Sequence, residues 1–177
     1  NGEGKNIKEA GNGYDKGDLG SGYWLGKEMF SRLILNEGIA IEDNDLNQIF
    51  EVIKTKFKVN TFRELYKYIE DNSNIFPFLA SLGEDVIDLA ESGNDIALSI
   101  VQEGTRYVSE YIKSITEKLQ VTNSDVILSI NGSIIENKFY ILDSLIIPRA
   151  ENKKDKKHIN SNELIIVVIQ SFIYTLF

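Results

Sequence analysis

The stretch Gly11-Asn12-Gly13-Tyr14-Asp15-Lys16-Gly17-Asp18-Leu19-Gly20-Ser21-Gly22-Tyr23-Trp24-Leu25-Gly26 changes character partway along. Its first part is rich in glycine (Gly11, Gly13, Gly17, Gly20, Gly22) and has no apolar period. Glycine supplies positive φ and close backbone approach, so this part reads as a tight functional loop, with residues 7–10 as a short strand leading into it. From Tyr23 the period becomes helical. Trp24, Leu25, Met29, Phe30, Leu33 and Ile34 share one face, Ser21 is placed to cap the helix, and Gly38 is the expected stop. No Gly-Lys-Ser/Thr follows four spacer residues, so the loop is not a Walker A motif. A dinucleotide fingerprint would need a third glycine in phase, and an EF-hand would need oxygen ligands at Gly17 and Leu19. What the loop does offer is Asp18 on a glycine-bounded turn. An ionised carboxylate only accepts hydrogen bonds. It repels a phosphate and suits a neutral ligand rich in hydroxyl donors, such as a sugar. The plain alternative is that Asp18 caps the helix and the glycines only shape turns.

Outward from this loop the chain reads as helices first and strands later. Leu46, Ile49, Phe50, Ile53 and Phe57 mark a second helix. Thr61-x-x-Glu64 is a capping box that starts a third, with Phe62, Leu65, Tyr66 and Ile69 on its buried stripe. Residues 75–90 read as one helix, with Pro77 tolerated in its first turn. Gly93-Asn94 stops that helix and caps the next, which runs from about residue 95 to 119 with apolar steps of three and four. Residues 125–130 (DVILSI) are the best strand, ending in an Asn131-Gly132-Ser133 turn. Residues 134–142 read as a helix and 145–148 as a short strand. Residues 151–161 read as a charged loop, and 162–163 as the cap of a closing helix. The order helix, strand, helix, strand, helix predicts an α/β core with parallel strands. Three regions are expected: a glycine-rich loop and strand remnant over 1–22, a helical insertion over 23–93, and an α/β core over 94–177.

Charge and composition exclude several functions. Twenty-seven acidic and 19 basic residues give a net charge of −8, which argues against nucleic acid and anionic membrane surfaces as partners. With no cysteine, disulfides, thiol catalysis and cysteine-held clusters are excluded. A single histidine leaves no histidine-based metal site, and no metal ligands are expected. The polar opening Asn-Gly-Glu-Gly-Lys-Asn is not a secretory leader, and the apolar run over 164–177 is short of the ~20 residues a spanning helix needs. A cytoplasmic location is expected. The first residue is Asn, and the chain is expected to begin inside a longer protein. Lys153, Lys154, Lys156, Lys157 and His158 read as a solvated run, and Phe57, Phe62, Tyr66, Tyr68, Phe76 and Phe78 as helical core.

Residues 17–26 (GDLGSGYWLG) resemble the G-D-E-G-S-[GA]-Y-W-[IL]-[GA] signature of N-acetylglucosamine kinase-like proteins, at nine of ten positions. That group falls in the BadF/BadG-type ATPase family of the actin–hexokinase–heat-shock-protein superfamily. Ala10-Gly11-Asn12-Gly13 stands where the family has a G-G-W-G motif. Residues 130–133 stand where it has a glycine turn beside the nucleotide.

The resemblance implies the C-terminal lobe of a two-lobed, ribonuclease H-like (actin-like) sugar kinase, incomplete at its N-terminus. The implied reaction transfers the γ-phosphoryl of ATP, with Mg2+, to a sugar hydroxyl. By the same resemblance Asp18, Asn12, Gly11 and Gly17 bind the sugar, and Gly132, Ser133 and Asn131 border the nucleotide. The phosphate loop and catalytic base of the family belong to the other lobe. No catalytic residue is therefore assigned here, and the chain alone is expected to be inactive. Three departures from the family pattern, Asn12 for Trp, Leu19 for Glu, and the altered turn at Asn131 and Ser133, point to a different sugar or a relaxed activity. They keep open a non-catalytic sugar-sensing module. An ATPase activator of a dehydratase or reductase would need cluster-binding cysteines and is disfavoured. An exposed sheet edge is expected to promote self-association into a homodimer.

Overall fold

The computed structural model describes residue 9 and residues 18–118, 126–131 and 165–170. From Gly22 to Lys118 the elements are all helical. They are α1 (Gly22–Leu35), a 3-10 turn (Glu37–Ile39), α2 (Asn44–Phe57), α3 (Phe62–Asp71), α4 (Phe76–Ser81), α5 (Gly83–Glu91) and α6 (Asp95–Lys118). The helical periods of the sequence form these elements with few changes. Ser21 caps α1, its Oγ accepting from the Trp24 N–H at 3.2 Å. Asp43 caps α2 by accepting from the Asp45 and Leu46 N–H groups at 3.0 and 2.9 Å. Thr61 caps α3 through the Glu64 N–H, but the Glu64 carboxylate returns to the Asn60 N–H at 2.7 Å rather than to that of Thr61. The box therefore spans one residue more than expected.

Two helix ends differ from the sequence reading. α1 stops at Asn36, not Gly38. The Asn36 side chain donates to the Arg32 carbonyl at 2.8 Å and its backbone N–H to Leu33 at 3.1 Å, so the last carbonyls are already served. The predicted helix over 75–90 is two helices broken at Leu82. The break brings Gly83 against the backbone of Gly22, where an added Cβ would stand 2.6 Å from the Gly22 carbonyl oxygen. One turn along α1, a Cβ on Gly26 would collide with the Leu79 carbonyl. A straight helix with side chains at these places would hold α1 off α4 and α5.

α1 lies at the centre and packs against α2, α4, α5 and α6. Met29 and Leu33 of α1, Ile49 and Ile53 of α2, Leu65 of α3, Leu82 between α4 and α5, Val86 and Ile87 of α5, and Ala97, Ile100 and Val101 of α6 are buried in one apolar cluster. Each of these side chains other than Ala97 contributes roughly 1.5–3 kcal/mol by leaving water. The aromatic residues join this core: Phe50 stacks on Phe62 at 4.2 Å, and Phe57 packs on Phe78 at the same distance. Asn94 is fully buried between α5 and α6. Its Oδ1 caps α6 at the Ala97 N–H (2.9 Å), and its Nδ2 donates to the Asp45 carbonyl and to Gln48 of α2 at 2.9 and 3.1 Å. The cap read from Gly93-Asn94 thus also ties α6 to α2.

β1 (Val126–Asn131) is the strand expected there. Among the described residues its partner is β2 (Ile165–Gln170), inside the run expected to be a closing helix. The two pair in parallel, with Val126 opposite Ile165 and Asn131 opposite Gln170. Five successive β-branched residues (Ile165, Ile166, Val167, Val168, Ile169) favour the extended chain over a helix. The strand over 7–10 (Glu9 aside), the helix over 134–142, the strand over 145–148 and the charged run with His158 lie outside the described residues. Among those described, no helix is long and apolar enough to cross a membrane.

Candidate functional site

The turn that carries Asp18 is seated on α6. Its backbone closes with the Ser21 N–H donating to the Asp18 carbonyl at 3.1 Å. Gly20 sits at φ +81, and a Cβ there would stand 2.7 Å from the Gly104 carbonyl oxygen and 3.0 Å from Val108. Gly104 in turn lets α6 approach Trp24 and Leu25 of α1. Three described glycines of the signature have packing roles: Gly20 shapes the turn and meets α6, Gly22 is met by Gly83 of α5, and Gly26 lets α1 meet α4.

Trp24 has no opening to a ligand. It is buried, edge-on to Tyr107 at 5.5 Å. Tyr107 donates to Glu103 at 3.2 Å, and Glu103 pairs with Arg32 of α1 at 3.2 Å, which also reaches Ser99. This half-buried network holds α1 against α6. Leu19, at the position of the signature Glu, packs half-buried against the apolar core.

Asp18 is half-buried beside Tyr111 of α6. The Tyr111 hydroxyl is held above its ordinary range, first by burial and then by the charges of Asp18 and Glu110, while a hydrogen bond from the Leu19 backbone acts in the opposite direction. Further along α6, Ser114 donates to Glu9 at 3.1 Å and Lys118 pairs with the same carboxylate. Lys118 foremost holds the Glu9 carboxyl below the usual carboxylate range. Glu9 and Asp18, one on each side of the glycine-rich loop, therefore both rest on the C-terminal half of α6. Sequence reasoning missed Tyr111 as a site residue because it counted the ring only in the apolar stripe. The signal available was a hydroxyl-bearing aromatic on that stripe.

Of the other predicted site residues, Asn131 ends β1, level with Gln170 at the end of β2. Gln170 was not anticipated. The available signal was an amide residue closing a β-branched run. Gly11, Asn12, Gly17, Gly132 and Ser133 lie outside the described residues. Among the described residues no cluster of three or more His, Asp or Glu could hold a metal ion.

No family model matches the chain. It is similar to the N-acetylmuramic acid/N-acetylglucosamine kinase of Clostridium acetobutylicum, at 27% identity over 144 residues, or 81% of this chain. The chain spans 46% of the length of that kinase. The similarity supports a distant relationship to a sugar kinase.

Proposed function

We propose that this chain is the C-terminal lobe of an ATP-dependent sugar kinase acting on N-acetylglucosamine or a related hexose in the cytoplasm. The supporting observation is the turn itself: a half-buried carboxylate at Asp18, set by Gly20 and Ser21 on two packed helices. Similarity to a kinase of such sugars favours the same reading. In this reading Asp18 accepts hydrogen bonds from sugar hydroxyls, with Asn12, Gly11 and Gly17 lining the same pocket. Asn131, Gly132 and Ser133 border the nucleotide at the C-terminal end of a parallel strand pair, the edge where α/β sheets take ligands. Mg2+ bound with ATP would supply neutralisation of phosphate charge, and no residue of this chain is assigned to hold it. The sugar oxygen bonds to the γ-phosphorus, the bond to the β-phosphate oxygen breaks, and the hydroxyl proton passes to a base supplied by the other lobe. This lobe contributes positioning, on which phosphoryl transfer depends.

A second reading keeps sugar binding without transfer. Leu19 favours it, because an apolar side chain turned onto the core stands where the signature has a carboxylate.

Asp18→Asn in the full-length protein tests the assignment. It keeps size and replaces one acceptor by a donor. Losing a charge-assisted hydrogen bond of about 1.5–3 kcal/mol lowers sugar kcat/KM on the order of ten- to a hundred-fold and leaves the KM for ATP unchanged. Unaltered sugar phosphorylation in this variant returns Asp18 to the helix-capping role. Calorimetric sugar binding by a wild-type protein that forms no sugar phosphate selects the sensing module.

A further inference from the structure

α6 carries one glycine, Gly104, well inside the helix, where glycine is among the poorest helix formers. Its surroundings give the reason. A Cβ on Gly104 would stand 3.1 Å from the Trp24 ring, 3.2 Å from Leu25 Cδ2 and 3.3 Å from the Gly20 Cα. All three neighbours belong to the signature stretch over 17–26. Each distance is short of the 3.4 Å at which ordinary contact begins, so a side chain here displaces a neighbour by a few tenths of an ångström. Burial decides which one moves. Trp24 and Leu25 are buried in the core, whereas Gly20 is half-buried. α6 is itself tied to α1 before and after this point, by the Glu103–Arg32 pair and by Tyr107 edge-on to Trp24. The displacement therefore falls on Gly20, which rests backbone on backbone against Gly104 with Val108 as the wall beside it. The Ser21 N–H bonded to the Asp18 carbonyl closes residues 18–21 into one unit, so movement at Gly20 is passed to Asp18.

We propose that Gly104 is a positioning residue: by presenting bare backbone at this point of α6 it sets the depth at which the Asp18 turn is seated, and so how tightly the site holds its sugar. This rests on the sugar-site reading of Asp18.

The test uses the full-length protein, with affinities for N-acetylglucosamine and ATP read by calorimetry and folding by thermal denaturation. Gly104→Ala should weaken sugar binding about three- to tenfold, since a misplacement of about 1 Å costs on the order of a hundredfold and this one is a few tenths. ATP affinity should stay unchanged. The melting temperature should move little, because overpacking and the gain in helix propensity oppose each other. Val108→Ala introduces no clash and removes the wall beside Gly20, so it should weaken sugar binding by a smaller factor, and it decides the outcome if Gly104→Ala does not fold. Ile53→Val, in the core of α2, should lower the melting temperature and leave sugar affinity unchanged. Added to Asp18→Asn, Gly104→Ala should bring no further loss, because it acts through that turn. Three results overturn the proposal while leaving the sugar site in place. In each, Asp18→Asn weakens sugar binding. Then either a folded Gly104→Ala, or Val108→Ala in its stead, keeps full sugar affinity, or the losses multiply, or Gly104→Ala weakens sugar and ATP alike as the melting temperature falls. If Asp18→Asn itself leaves sugar affinity intact, the site reading fails and the proposal falls with it.

Discussion

Of the three described residues with positive φ, Lys58 and Gly20 hold it for different reasons and should respond oppositely to substitution. Lys58 closes α2 at φ 56 and ψ 42, its N–H donating to the Lys54 carbonyl, with its side chain in solvent. A side chain there costs about 1–2 kcal/mol that glycine avoids. Lys58→Gly should therefore raise stability by roughly 0.5–1 kcal/mol after the added chain entropy of glycine. Gly20 needs both its φ of +81 and the space beside Gly104. Gly20→Ala should cost about 2–4 kcal/mol, from strained backbone plus overpacking. Chemical denaturation of the two variants beside wild type checks both signs. At this scale the sequence was legible where a residue acts on its near neighbours: Ser21 as a cap, Asn94 as a cap, Gly20 as a turn. It was not legible where the partner is far along the chain. Nothing near Gly26 announces the Leu79 carbonyl, and nothing near Tyr111 announces Leu19.

Helices were legible because a buried stripe repeats every three to four residues whatever it packs against. The break at Leu82 was not, since it arises from the approach of Gly83 to Gly22, some sixty residues away. β2 was misread for a related reason. A short run apolar at nearly every position has no period to separate helix from strand, and its β-branched content was the usable signal. The element that most shapes the site is α6. Its first half is built into the core through Ala97, Ile100 and Val101, and its second half carries the Asp18 turn and Glu9. The Glu9 tie has a pH dependence of definite sign. Its carboxyl is held below the usual range by Lys118, so the tie contributes above the unfolded carboxylate's titration and is lost as pH falls through the lower folded value. In a carbon-detected NMR titration Glu9 should titrate below the usual carboxylate range, and Lys118→Met should return it toward that range. A wild-type Glu9 that titrates within the usual range would show that Lys118 does not hold it.

At the scale of the whole molecule the proposed sugar site makes a prediction that turns on charge. The chain carries a net charge of −8, and the charges of Asp18 and Glu110 act on Tyr111 beside the candidate site. The related kinase is named for two sugars, of which N-acetylglucosamine is neutral and N-acetylmuramic acid carries a carboxylate. A carboxylate brought beside Asp18 meets repulsion that a neutral hydroxyl does not, and ions screen that repulsion over roughly 10 Å at 0.1 M salt and about 3 Å at 1 M. In the full-length protein N-acetylglucosamine should therefore bind more tightly at low salt, with an affinity that salt leaves nearly flat. N-acetylmuramic acid should tighten about two- to fivefold as salt rises from about 0.05 to 0.5 M. Calorimetry of both sugars across that range reads the slopes directly. An acid sugar that binds best at low salt would require a cation facing its carboxylate, and would place the sugar away from Asp18.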